Sequence, residues 1–126
     1  MIEQKEHHFI KEYFNLVKYL INQHPDNIDL AMAKAVGSPT LESFYEIGEK
    51  QFAVLKFIGL KDGMSIYDLG CGSGRTAMAL KRHNWTGNYT GQDIVPELII
   101  YASSKVSDPN FKFYINPNFQ FEKKMK

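Results

Sequence analysis

Ile66-Tyr67-Asp68-Leu69-Gly70-Cys71-Gly72-Ser73-Gly74-Arg75 decides how this chain is read. Its first residues, with Met64 and Ser65, form a short and largely apolar run suited to a buried strand. Three glycines in five positions then permit dihedrals that other residues avoid and let the backbone touch a ligand. From Thr76 to Arg82, Ala77, Leu80 and Met78 fall on one helical face. Strand, glycine loop and helix in this order make a nucleotide-site arrangement.

Downstream, Asn84 to Gly87 reads as a loop in which Trp85 anchors against the sheet edge, and Asn88 to Asp93 as a second strand. Pro96 to Val106 is a helix through Leu98, Ile99 and Ala102, and the alternation Phe111, Phe113, Ile115 is a third strand. Three strands separated by helices form a βαβαβ unit with right-handed crossovers and a parallel sheet in the order 3-2-1. The fold class is therefore α/β, a partial three-layer α/β/α arrangement that is half of a doubly wound sheet.

Upstream the texture is helical. From Glu3 to His24 two stripes recur at helical spacing, Phe9, Tyr13, Leu16, Leu20 and Ile10, Phe14, Val17, Ile21, and Pro25 ends them. A second helix is expected over Ile28 to Val36, capped by Asp26 or Asn27 and stopped by Gly37. A third is expected to open near Ser38, with Pro39 in its first turn and a possible break at Gly48, and to end at Gly59. Lys61-Asp62-Gly63 is a turn.

The chain has 126 residues, 44% hydrophobic and 23% charged, which suits one globular core and hardly two. With 15 Lys and Arg against 14 Asp and Glu, the net charge of +1 gives no broad field for a polyanion, so no nucleic acid partner is expected. Lys123, Lys124 and Lys126 read as a solvated tail. Cys71 is the single cysteine, so no intrachain disulfide forms, no paired-cysteine metal site is available, and a reduced, cytoplasmic setting is expected. Neither a signal peptide nor a membrane span is legible. His7 and His8 read as surface helix residues, without a ligand constellation around them.

The loop discriminates between ligands. A dinucleotide fingerprint needs a third small residue at position 75, where this chain has Arg75, and no phosphate-binding P-loop pattern occurs. Asp68, two residues before the first glycine, would repel a pyrophosphate. S-adenosylmethionine (SAM) instead brings an ammonium and a sulfonium, which a nearby carboxylate favours. The helix opening near Gly74 can aim its N–H groups at the ligand carboxylate, with Arg75 assisting. Asp93 ends the next strand near the ~20-residue spacing at which an acid meets ribose hydroxyls, and Ile94 follows as a surface for adenine. The alternatives are a turn cap for Asp68, a helix cap for Asp93 and an exposed first-turn position for Arg75. Cys71 reads as a small filler rather than a nucleophile, and Tyr45 as core or as a ligand contact.

Ile66 to Arg75 resembles motif I of the class I, seven-strand methyltransferases of Rossmann-like fold, and Thr90-Gly91-Gln92-Asp93-Ile94 resembles the strand bearing their ribose-binding acid. The resemblance covers about Leu60 to Ile115. It implies that Asp68, Gly70, Gly72 and Gly74 frame the methionine part of SAM and that Asp93 holds the ribose. With Cys71, Ser73, Arg75 and Ile94 these make the expected cofactor-binding set. Phe44 to Gly48 resembles the pre-motif segment in which an aromatic and a glycine approach the cofactor.

The family order, 3-2-1-4-5-7-6, needs four more strands, and only Asn116 to Lys126 follow the third. Ile115-Asn116-Pro117-Asn118 also stands where the family often has Gly-Asp. One domain over residues 1–126 is expected, with a helical prelude at 1–59 and a SAM-binding unit at 60–115, incomplete at its C-terminal side. Its first strand is left with an unpaired edge, to be covered by the prelude, a partner chain or homo-oligomer, or further polypeptide. The expected activity is methyl transfer to a small-molecule acceptor, with catalytic residues unassigned and no metal required. The alternative is a non-catalytic SAM-binding or partner-docking module. Asp68 and Arg75 disfavour a third reading, an NAD-dependent oxidoreductase.

Overall fold

A computed structural model describes residues 2–116, with side chains from residue 8 onward. The lysine-rich tail and the side chain of His7 lie outside the described residues. In chain order come α1 (Ile2–Gln23), α2 (Ile28–Ala35), α3 (Leu41–Phe57), β1 (Ser65–Leu69), α4 (Arg75–Arg82), β2 (Asn88–Asp93), α5 (Pro96–Lys105) and β3 (Phe111–Ile115). The strands are parallel, with β2 between β1 and β3, the expected neighbour relations. Ile66 pairs with Tyr89 and Tyr89 with Phe111, while Asp68 pairs with Gly91 and Gly91 with Phe113. These positions share one face of the sheet because strand side chains alternate.

That face is the buried one. Phe44, Phe52 and Leu55 of α3 and Ala77 and Leu80 of α4 pack in one cluster with Ile66, Tyr89, Phe111 and Phe113. On the other face Tyr67 and Leu69 are 60% and 50% exposed, and Tyr114 of β3 is exposed on that face too, two strands away. Among the described residues, then, helices α3 and α4 cover one side of the sheet, and no strand pairs with the outer edge of β1. Among the described residues the prelude supplies no strand to that edge.

Two helix starts show how local chemistry sets boundaries. Asn27 caps α2 by accepting from the Leu30 N–H at 3.1 Å. Helix α3 opens later than Ser38-Pro39 suggests, because Thr40 and Ser43 form a reciprocal capping box, Thr40 Oγ1 accepting from the Ser43 N–H at 3.0 Å. Nor does Gly48 break it: a Cβ there would stand 3.0 Å from the Arg75 carbonyl oxygen, so the missing side chain lets α3 lie against α4. Glu49 adds an ion pair to Arg82 at 2.9 Å and a contact to His83. Trp85 is buried, its indole N–H donating to the Lys61 carbonyl at 3.0 Å.

A second cluster joins the prelude to α5 and the end of β2. Val17 of α1 and Met32 and Ala35 of α2 pack with Ile94, Val95, Leu98 and Tyr101, flanked by Ile10, Tyr13, Phe14, Leu20 and Ile21. Of the two α1 stripes, Phe9 and Leu16 end exposed. The Tyr101 hydroxyl donates to Asp29 Oδ1 at 2.5 Å, and Lys105 Nζ lies 3.1 Å from the same oxygen.

The Asp29 contact predicts a pH dependence. The hydrogen bond from Tyr101 is the largest cause holding the Asp29 carboxyl below its ordinary range, with Lys105 adding to it against the opposing effect of burial. A folded pKa below the unfolded value of about 3.9 stabilises the fold above that pH and ceases to do so as pH falls through the folded value. The difference in urea midpoint between wild type and Tyr101→Phe should therefore shrink as pH is lowered from about 5 to about 3. A constant difference would detach the effect from Asp29.

Candidate functional site

The glycine loop joins the carboxyl end of β1 to α4. Gly70, Gly72 and Gly74 all have positive φ, +79°, +60° and +95°. Gly70 faces open space, and a side chain at Gly72 would meet the Val36 Cγ1 at 2.7 Å. The loop is thus bare on one side and pressed against the prelude on the other.

The bare side borders a cleft of about 280 Å³, close to the smallest ligand pockets at about 300 Å³. The loop and the strand ends give it Asp68, Gly70, Cys71, Gly72, Arg75, Thr76 and Asp93, and the helical prelude closes it with Tyr13, Val36 and Gln51. Six of the nine expected cofactor-binding residues therefore meet in one place. Ser73, Gly74 and Ile94 are not in the lining. The Ser73 hydroxyl donates to the Met32 carbonyl at 3.1 Å, Gly74 backs onto Ala102, and Ile94 packs in the cluster under α1.

Asp93 is 7% exposed and holds two backbone donors: Oδ2 accepts from the Gly72 N–H at 2.9 Å and Oδ1 from the Val95 N–H at 3.2 Å. Each oxygen keeps a second lone pair. It therefore ties the turn before α5 rather than capping that helix, whose N-cap is Val95 without a side-chain cap, and it borders the cleft. Asp68 Oδ2 accepts from the Tyr89 hydroxyl at 2.6 Å. Burial pushes the Asp68 carboxyl up, the Tyr89 hydrogen bond opposes this, and the Asp93 charge adds to the rise. Burial, then Asp68 and Asp93, push the Cys71 thiol up, so it stays protonated and poorly nucleophilic. Tyr13 is pushed up to about 12, mainly by burial and then by Asp93 and Cys71.

Arg75 supplies the opposite charge. Its Nη1 donates to Ser38 Oγ at 2.9 Å and to the Val36 carbonyl at 3.4 Å, while its buried Nε finds no acceptor among the described residues. Helix α4 begins beside it with no side-chain cap and no acidic residue in its first turn. Arg75 and the carboxylates of Asp68 and Asp93 line the same cleft. A molecule carrying both charges satisfies both.

Residues 60–125, just over half of the chain, match a family model described as a methyltransferase domain. The chain belongs to this methyltransferase-domain family. The ammonium, carboxylate and ribose hydroxyls of S-adenosylmethionine, the cofactor expected from the sequence, fit the carboxylates and the Arg75 guanidinium that line the cleft. The methyltransferase domain is similar in fold to a Haloferax volcanii methyltransferase solved with the Trm112 methyltransferase activator. The TM-score is 0.52 at 24% identity, over 72% of this chain and 38% of that one. A TehB-like SAM-dependent methyltransferase from Corynebacterium glutamicum matches at TM-score 0.48 and 27% identity, over 79% of this chain and 45% of that one. The plantazolicin methyltransferase BpumL, solved with a pentazolic desmethylPZN analog and SAH, matches at TM-score 0.49 and 20% identity, over 90% of this chain and 44% of that one. The chain thus spans less than half the length of each.

Sequence reading missed five residues of this region. Tyr13, Val36, Gln51 and Thr76 reach the cleft from helices read only for their core faces, and Tyr89 lies beneath it in the sheet. Conversely, the Phe44 to Gly48 segment does not reach the cleft: Phe44 is buried core, and Tyr45 lies under Arg82, whose guanidinium carbon is 4.9 Å from the ring centroid. Asn116 turns its amide to Gln92, donating to Oε1 at 3.1 Å.

A second recess of about 460 Å³ adjoins the cleft and shares Gln51, Asp68 and Thr76 with it. Ile47, Val54, Leu55, Ile66 and Tyr67 make most of its wall apolar, along the unpaired edge of β1. Among the described residues no group of His, Cys, Asp and Glu could hold a metal ion, and no helix is long and apolar enough to cross a membrane.

Proposed function

We propose that residues 1–126 work as one SAM-binding methyltransferase domain, in which the prelude, 1–59, covers a cofactor unit at 60–115. The convergence of Asp68, Asp93 and Arg75 on one glycine-lined cleft carries this reading. Asp68 faces the cofactor's ammonium, Arg75 and the start of α4 its carboxylate, and Asp93 the ribose hydroxyls through its remaining lone pairs. Gly70, Cys71 and Gly72 offer backbone contact, Ser73 and Gly74 hold the loop in shape, and Ile94 supports the adenine end from the adjoining cluster. When bound, SAM supplies an electrophilic methyl group on sulfur. The protein's share is to orient it and exclude water from it. We assign the reaction to a small-molecule acceptor and a cytoplasmic setting, and assign no catalytic base.

Titration calorimetry with S-adenosylhomocysteine tests the proposal. Saturable binding at neutral pH is the expected result, and folded protein that releases no heat at millimolar ligand overturns it.

The exposed Tyr67 and Leu69 beside the unpaired edge of β1 support a second reading, a binding module whose sheet is completed by a partner or another copy. Size-exclusion chromatography separates the two. A stable oligomer supports edge completion, whereas a monomer that binds the cofactor removes the need for it.

A further inference from the structure

Among the described residues Tyr89 is the largest fully buried side chain, 1% exposed near the start of β2, and its hydroxyl is the side chain's one polar atom. The ring stacks on Phe111 at 5.2 Å and 19° and leans on Phe113 at 5.6 Å. Gly91, next on the same face, makes room for it: a Cβ there would stand 3.0 Å from Tyr89 Cε1 and 2.9 Å from Cys71 Sγ. Packing on three sides thus fixes where the hydroxyl can go, and it goes to Asp68 Oδ2 at 2.6 Å. A phenylalanine would fill the same slot, so packing alone does not explain the oxygen.

We infer that Tyr89 is a positioning residue for the cofactor's ammonium group, acting through the Asp68 carboxylate that it holds against the cleft. The inference rests on the cofactor reading given above. A half-buried carboxylate with one oxygen bonded from below is held in rotation, leaving its other lone pairs for a cation in the cleft. Without the hydroxyl, burial and the neighbouring negative charge of Asp93 both favour the neutral carboxylic acid, which attracts an ammonium less. Of the other groups around Asp68, Cys71 and Tyr89 stay protonated, the latter because burial and then Asp68 push it up. Lys50, Gln51 and Thr76 border the larger recess with Asp68, and Arg75 borders the cleft. The Thr76 hydroxyl is committed to Gln51 Oε1 at 2.6 Å.

The test uses the whole chain and two ligands, S-adenosylhomocysteine, which carries the ammonium, and 5′-methylthioadenosine, which lacks the amino-acid part. Tyr89→Phe should weaken the first about tenfold at neutral pH, more at about pH 5.5, and leave the second within about twofold. In an Asp68→Asn background the same change should cost nothing further. Equal weakening of both ligands, or no change in either, with the melting temperature preserved, overturns the inference. So does an undiminished effect without the Asp68 charge. If Tyr89→Phe does not fold, Gly91→Ala combined with Cys71→Ala presses on the ring from the side, and the same ligand-selective loss is expected. Its absence counts against Tyr89. Wild-type protein that binds neither ligand overturns the cofactor reading itself, and this inference with it. Binding of methylthioadenosine alone leaves the nucleoside half of that reading and removes the role given to Tyr89.

Discussion

Asp93→Ala should abolish detectable S-adenosylhomocysteine binding and lower unfolding free energy by about 2 to 4 kcal/mol, as two buried donors lose their acceptor. These donors are the Gly72 N–H, 2.9 Å from Oδ2, and the Val95 N–H, 3.2 Å from Oδ1. One belongs to the glycine loop and the other to the turn into α5, so the carboxylate ties together two connections that follow neighbouring strands. Asp93→Asn keeps one acceptor oxygen and should retain part of the stability while binding the ligand more weakly than wild type. Urea unfolding measures the first quantity and calorimetry the second. An unchanged urea midpoint would mean that the two N–H groups find other acceptors, and an unchanged affinity would take Asp93 out of the ribose site.

Gly72→Ala should be similarly costly for another reason. At φ +60° a residue with a Cβ sits in the left-handed region, at a cost of about 1 to 2 kcal/mol. The new methyl also lands 2.7 Å from Val36 Cγ1, an overpacking that adds about 1 to 3 kcal/mol. Adding Val36→Ala separates the parts, since it removes the clash and leaves the backbone strain. Recovery of about half the lost stability is expected from the pair. Full recovery would show that the left-handed dihedral costs nothing at this site, and none would show that Val36 already yields.

The parallel sheet, its neighbour relations and most helix limits were legible because each rests on short-range chemistry. An apolar run before glycines, an acid at a strand end and a proline opening a helix act within a few residues. The errors came where distance in sequence hides nearness in space. Ser38-Pro39 looked like a helix start, but Ser38 is buried and accepts from Arg75, while Thr40 and Ser43 do the capping. Gly48 looked like a break, and its smallness serves the approach of α4. Tyr89 carried no signal at all, because a tyrosine in a strand is ordinary and only the fold brings Asp68 to its hydroxyl.

The family model that matches this chain starts at Leu60. Cohesion follows another line. Met32 accepts from Ser73, Val36 and Ser38 accept from Arg75, and Val36 fills the notch that Gly72 leaves open. A polypeptide starting at Leu60 would keep every residue that the family model matches. It would nonetheless bring its glycine loop to water without the acceptors and apolar cover that shape it. The part that the family model matches and the part that holds its loop in form are here different stretches of one molecule.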